Sequence, residues 1–437
     1  MGRGLGLIVL AALVVGGATF ASRADELRTG TPAAVGISTE RLARLDAAME
    51  AEIAAGRKAG IVMLIARKGQ VVHLKAYGMA DVAAKRKMQT DSMVRLYSMT
   101  KPVTSVALLT LYEQGKFQLT DPLDKYIPAF ANLKVMSGTR ADGSPLLEDA
   151  KRKPTIQDVF RHTAGFSYGF GPDGIDAIYR KAGVDFSTMT SLTEMIQKLA
   201  PLPLMYQPGE RWVYSVSHDV QAYLVEHFSG KPFDQYVRET ILGPLKLTDM
   251  VFGVPRTHVA RYSSMYAAKQ GGGLQLAENA DGSAVKGVAP WPLDGGYGRY
   301  TTVPFGGLSL SSTATAYARF AQMLLNGGEL DGVRILSRKT VELMTTNHLP
   351  ASIPSIDLGD ARDNGVGYGL GVSVTKDPAR EGVLDSVGEF GWAGAASTKV
   401  LIDPREQMIV VVLAQYVPFD PQFLAFAQTM AYQAIVD

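Results

Sequence analysis

The chain has 437 residues, 46% of them hydrophobic and 20% charged, which is enough apolar material for one large or two ordinary domains with a real core. A formal net charge of +2, with no basic run interleaved with aromatics, excludes nucleic acid as a partner. The absence of cysteine excludes disulfides, thiol nucleophiles and thiolate metal sites, and six histidines without HExxH or paired spacing call for no metal. No phosphate-cradling or dinucleotide motif is present, so no cofactor is expected.

The N-terminus carries Arg3, an apolar stretch from Leu5 to Gly17 and the small-residue run Ala18-Thr-Phe-Ala-Ser-Arg-Ala24, the layout of a secretory signal cleaved near Ala24. The expected mature chain begins near Asp25 and is periplasmic or secreted, with no lipid attached through cysteine and no retained membrane span. The oligomeric state is not legible.

Beyond it, the periodicity predicts a helix over Thr39 to Ala55, then strands over Ile61 to Arg67 and Val71 to Tyr77 joined at Lys68-Gly69, a hairpin. A helix opens around Ser98, its apolar face running through Val103, Val106, Ala107, Leu109 and Leu111, with Pro102 in its first turn and Gly115 as its stop. From there to about Leu247 the pattern is mostly helical, with amphipathic pieces at 156–162, 192–199, 216–228 and 233–241, and strands are scarce. The Gly/Pro-rich stretch from Val254 to Gly307 reads as a loop framing a site. Helices return at 314–325 and 338–346, strands at 369–376, 397–402 and 408–415, and a helix closes the chain over 421–436.

Strands at both ends predict an α+β fold: one antiparallel sheet flanked by helices and built from both chain ends, with a largely helical region inserted and the site between them. The expected regions are 1–24 (signal), 25–110 with 300–437 (sheet), and 111–299 (helical, with the long loop).

Three SxxK matches occur, against about two expected from ordinary residue usage. Ser283 and Lys286 lie in a turn-rich stretch, and Ser373 and Lys376 in a strand, where positions three apart face opposite ways. Only Ser98 and Lys101 sit where a helix begins, which puts hydroxyl and amine on one face. Read alone, the pair is an N-capping serine and a solvated lysine. With a partly neutral amine it is a nucleophile beside its base, and the chemistry is acyl transfer. The backbone N–H of Ser98 would then face a bound carbonyl oxygen.

Two further elements bear on that reading. Tyr214 follows Pro208-Gly209 and precedes an apparent helix, so its phenol can be presented toward Ser98 as base and acid. In Glu389-Phe-Gly-Trp-Ala-Gly-Ala-Ala-Ser-Thr-Lys399, small residues lead into a strand, and the N–H of Ala395 can supply a second oxyanion donor. A competing signal is Gly165-Phe-Ser-Tyr-Gly169, the GxSxG of a nucleophile elbow, with later histidines as bases. An elbow must follow a strand and open a helix, whereas a helical stretch precedes Ser167, so it ranks below Ser98. His162, at a helix end, and His218, beside Asp219, read as structural.

In this order the elements resemble the serine β-lactamase and penicillin-binding-protein superfamily, and most closely its family VIII carboxylesterases. The carriers are Ser98-Met-Thr-Lys101, Tyr214-Ser215, Trp392-Ala-Gly394, His162-Thr-Ala-Gly165 and Leu324-Leu-Asn-Gly-Gly-Glu-Leu-Asp-Gly332. The resemblance implies a β-lactamase/transpeptidase-like fold, with Ser98 as acylated nucleophile, Lys101 as its proton partner and Tyr214 as base and acid. It also implies an oxyanion hole from the N–H groups of Ser98 and Ala395, and a pocket lined by Tyr97, Val216, Trp392, Ala393 and Gly394. The expected substrate is a small-molecule ester with a short acyl chain; the alternatives are a β-lactam, a D,D-peptide or D-amino-acid amide, and, lower, a non-catalytic penicillin-recognising protein. Val216 replaces the asparagine of Tyr-x-Asn, and Trp392 replaces the lysine of Lys-Thr-Gly, which removes a cation able to pair with a substrate carboxylate. Both departures favour neutral esters.

Overall fold

The computed structural model describes residues 27–437 apart from 173, 185, 187, 188, 256, 280–282, 287, 289–302 and 359–363; the expected signal segment and much of the Gly/Pro-rich loop lie outside the described residues.

The chain enters through helix α1 (Thr39–Ala54), opened by the Ser38 hydroxyl, which accepts a hydrogen bond from the N–H of Arg41. Strands β1 (Gly60–Arg67) and β2 (Gln70–Asp81) form the expected hairpin. Its two-residue turn is Lys68-Gly69 with φ of 50° and 74°, the left-handed pair that matches strand twist. Helix α2 (Thr100–Glu113) follows a single 3₁₀ turn at Tyr97–Met99 and ends before Gly115, whose φ is 70°. Further along come helices α3 (Ser217–Ser229) and α4 (Ala314–Leu325), strands β3 (Val366–Tyr368), β4 (Ser373–Thr375), β5 (Phe390–Gly394), β6 (Thr398–Asp403) and β7 (Met408–Ala414), and helix α5 (Pro421–Tyr432).

The main sheet runs β2-β1-β7-β6-β5-β4-β3 with each of these pairs antiparallel, and the short segment Arg28–Thr29 adds to the edge at β2 in parallel. Its centre joins the chain ends, Ile61 to Arg67 pairing with Ala414 to Met408, as the terminal strand signals predict. Alternation along those strands assigns the two faces. Ile61, Met63, Ile65, Met408, Val410 and Val412 pack with α1 and α5. Val62, Leu64, Ala66, Ile409, Val411 and Leu413 belong to the main core, shared with α2, α3 and α4. Both faces are covered, so β1 and β7 are buried at every position.

The helical reading of residues 111–247 is incomplete. A hairpin pairs Lys134–Thr139 with Pro145–Asp149, and a helix at Gly174–Lys181 buries Ile175 and Tyr179. Val94–Arg95 and Met250–Phe252 flank Leu310–Ser312 in a small sheet, and within the Gly/Pro-rich stretch Tyr266–Ala268 pairs with Leu274–Leu276 and with Tyr416–Val417. Of the predicted strand over 369–376, only Ser373–Thr375 pairs as a strand.

Gly394, at the end of β5, pins the sheet to the turn that bears Ser98. A Cβ there would lie 2.1 Å from the carbonyl oxygen of Leu96 and 2.4 Å from Thr398 Oγ1. Gly394→Ala is therefore expected to push the Leu96–Ser98 segment away from β5, costing about 1–3 kcal/mol, with a lowered Tm on thermal unfolding and a loss of ester turnover.

Candidate active site

Helix α2 is buried from Thr100 through Leu111, and from Ser92 to Leu111 every residue except Ser98 is buried. The preceding residue, Tyr97, adopts a φ of 46°, a left-handed conformation costly for a bulky residue. Its ring leaves toward Met265, Ala267, Ala277, Ala396 and Val417, so Tyr97 packs a neighbouring small core.

Two donors converge on the hydroxyl of Ser98. Lys101 Nζ donates across 3.0 Å and the phenol of Tyr214 across 2.7 Å. Lys101 is 1% exposed, and its second hydrogen bond, 2.9 Å, goes to the carbonyl oxygen of Gly307. Burial pulls its amine down to about 7, with the Asp219 carboxylate acting in the opposite direction. Burial pushes the phenol of Tyr214 well up, partly offset by its hydrogen bonds with Ser98 and Trp392. The ammonium also sits 4.6 Å from the centre of the Tyr214 ring and 5.4 Å from that of Tyr168. A buried amine near neutrality in hydrogen-bond reach of a serine hydroxyl is what nucleophilic acyl transfer requires.

Aromatic rings wall the site. Trp392 donates Nε1–H to the Tyr214 hydroxyl at 3.3 Å, and its ring lies 5.6 Å from Tyr214 and 5.2 Å from Tyr368. Trp212 and Tyr168 flank Tyr214 at 6.1 and 5.2 Å. His162 lies 4.9 Å from the Tyr214 ring and accepts from the backbone N–H of Ser215 at 3.2 Å. Burial and the charge of Lys101 hold both His162 and His218 well below the usual histidine range, so they are neutral packing groups.

Of the expected pocket residues, Trp392 and Gly394 lie at the site, and three do not line it in the expected way. Ala393 points to the opposite face of β5, against the cluster of α1 and α5, because side chains alternate along a strand. Val216 precedes the first residue of α3 and its side chain is fully buried in the main core, so it offers no surface to a ligand. Tyr97 turns away as described. Ala395 follows β5 in a tight turn beside Tyr97 and Leu308.

The competing serine is explained by its surroundings. Ser167 is 1% exposed; its hydroxyl donates to Asp176 and accepts from the N–H of Gly169 at 2.8 Å. No strand precedes it, and the segment from Arg161 to Gly171 carries neither helix nor strand. Sequence reasoning missed Tyr168, Asp219 and Gly307. Tyr168 stood inside the GxSxG match, one position from the residue that the motif singles out. Among the described residues no group of three or more His, Asp or Glu side chains converges as a metal site, and no helix is long and apolar enough to cross a membrane.

Comparison with known proteins gives concordant results. The model of the family described as Beta-lactamase matches residues 45–432. A Mycobacterium tuberculosis protein described as uncharacterized is 33% identical over 371 residues, 83% of this chain and 87% of its own. Esterase EstB of Burkholderia gladioli is 27% identical over 393 residues, covering 85% and 89%. Among solved structures, EstCE1, described as a hydrolase with promiscuous acyltransferase activity, superposes with a TM-score of 0.74 at 24% identity over 90% of this chain and 99% of that one.

Proposed function

The chain belongs to the Beta-lactamase family, and from that premise we propose that it is a serine hydrolase that cleaves carboxylic esters through an acyl-enzyme on Ser98. The observation that carries the proposal is the pair of hydrogen bonds from Lys101 and Tyr214 to a single, partly exposed serine hydroxyl.

The opposed shifts of the two partners divide the labour. An amine at about 7 is substantially neutral at physiological pH, whereas a phenol pushed well up stays protonated. Lys101 takes the proton as Ser98 Oγ bonds to the ester carbonyl carbon. The oxyanion is met by the N–H of Ser98, which lies in the 3₁₀ turn that leads into α2, and by the N–H of Ala395. The C–O bond to the alcohol then breaks as the Tyr214 phenol protonates the leaving oxygen, and Lys101 returns a proton to Tyr214. Water repeats the sequence on the acyl-enzyme and releases the acid.

The ester assignment is supported by the activity named for EstB and by the aromatic walls, which suit neutral groups. The Trp392-Ala-Gly394 element supports it too, since tryptophan stands where the superfamily often has a lysine. The same reading expects short acyl groups and an exported enzyme, the latter supported by the apolar run from Leu5 to Gly17.

The test is hydrolysis of p-nitrophenyl butyrate and of nitrocefin side by side. Ester turnover is expected to exceed nitrocefin turnover by about a hundredfold or more, the scale on which a site built without the matching polar partner rejects a substrate. Dominant nitrocefin turnover would move the assignment to a β-lactamase, and a burst of p-nitrophenol without turnover would mean acylation without deacylation.

A further inference from the structure

Asp219 is a carboxylate in an unusual place. It stands in the first turn of α3, fully buried, and its Oδ2 has no hydrogen-bond partner among the described residues. Its Oδ1 accepts the N–H of Gly307 at 2.8 Å, and the carbonyl of that same residue accepts Lys101 Nζ at 2.9 Å. Gly307 is thus a one-residue bridge between a buried carboxylate and a buried amine. A side chain at 307 would disturb the bridge: a Cβ there would lie 2.8 Å from the Tyr168 hydroxyl and 3.0 Å from Asp219 Oδ2. A buried carboxylate with an unsatisfied oxygen costs stability, and its place in the first turn of α3 offsets that cost only in part.

We propose that Asp219 is the positioning residue for Lys101: through the Gly307 peptide it fixes the acceptor that aims the amine at Ser98, and its negative charge stabilises the ammonium that forms when Ser98 is deprotonated. The proposal rests on Lys101 acting as base toward Ser98.

The surroundings leave this task to Asp219. The other titratable groups facing Lys101 are His162 and Tyr168 from the segment after Phe160, Tyr214 before α3, and His218 on α3 itself. Burial holds the two histidines neutral and the phenols protonated. Asp219, pushed up by burial to about 6, is still anionic where Lys101 titrates, at about 7. Burial alone would drag the amine down and leave it a poor proton acceptor; the carboxylate opposes that pull. The two titrate as a pair, so removal of the charge must move the amine.

The experiment is the pH dependence of covalent labelling by a fluorophosphonate, in which Ser98 Oγ bonds to phosphorus, fluoride leaves and the serine proton passes to Lys101. Mass spectrometry locates the label. In the wild type the rate is expected to fall as pH drops through about 7, as the amine becomes protonated. In Asp219→Asn, which can still accept the Gly307 N–H, the acid limb is expected to move down by about one pH unit, with a lower plateau. Asp219→Glu, which keeps the charge, is expected to return the limb toward the wild-type position. Should Asp219→Asn fail to fold, Asp219→Ser removes the same charge with less volume. A label on Ser98 with an unmoved acid limb overturns the proposal and leaves the Ser98 reading intact. A label on another residue overturns the Ser98 reading itself.

Discussion

Ser98→Ala is expected to lower kcat/KM for p-nitrophenyl butyrate by at least about a thousandfold, while Ser167→Ala stays within a few-fold of wild type. The contrast follows from what each hydroxyl touches. Ser98 is partly exposed and meets a buried amine at 3.0 Å and a phenol at 2.7 Å, so both its proton and a carbonyl carbon have somewhere to go. Ser167 is closed off at 1% exposure, and its hydroxyl is already committed to Asp176 and to the N–H of Gly169, an arrangement that stabilises a loop. Loss of the hydroxyl bonded to Asp176 Oδ1, with the Gly171 N–H still on Oδ2, makes Ser167→Ala a stability variant, to be seen in its Tm. Activity that survives Ser98→Ala and disappears in Ser167→Ala would sink the acyl-enzyme proposed here.

The sequence carried the parts of this site that are local in the chain. Ser98 and Lys101 are one helical turn apart, and their spacing already states that they meet. The central sheet was likewise legible, because β1 and β7 are apolar runs at opposite ends that can be buried on both faces only by pairing. What the sequence does not state is the meeting of residues far apart. Gly307 reaches Lys101 across 206 positions and Asp219 across 88, and nothing in a Gly-Gly dipeptide announces a peptide suspended between two charges. Ala393 was misplaced for a different reason. Trp392-Ala-Gly394 reads as one motif lining a pocket, although in a strand its middle residue must face away. The hairpin at 134–149 was readable from Asp142-Gly143, a turn signal flanked by short alternating segments, but the helical pattern around it dominated.

Lys101→Met and Tyr214→Phe are each expected to reduce ester turnover by about a hundredfold or more, and the double variant to lose little beyond the worse single one. Lys101→Met exchanges a buried amine for an apolar chain of similar shape but leaves the Asp219 carboxylate buried without its cation, so a lowered Tm is expected alongside the loss of turnover. Tyr214→Phe keeps the ring packed between Trp392 and His162 and removes only the hydroxyl that joins Ser98 to the Trp392 N–H. Any turnover left in Lys101→Met should also have lost the acid limb near 7, since the group that titrates there is gone. The expected non-additivity follows from the geometry: both groups bond to the same oxygen and pass one proton between them, so removing either breaks the relay for both. Multiplicative losses would instead mean that each group works without the other, and the relay from Ser98 through Lys101 to Tyr214 would have to be abandoned.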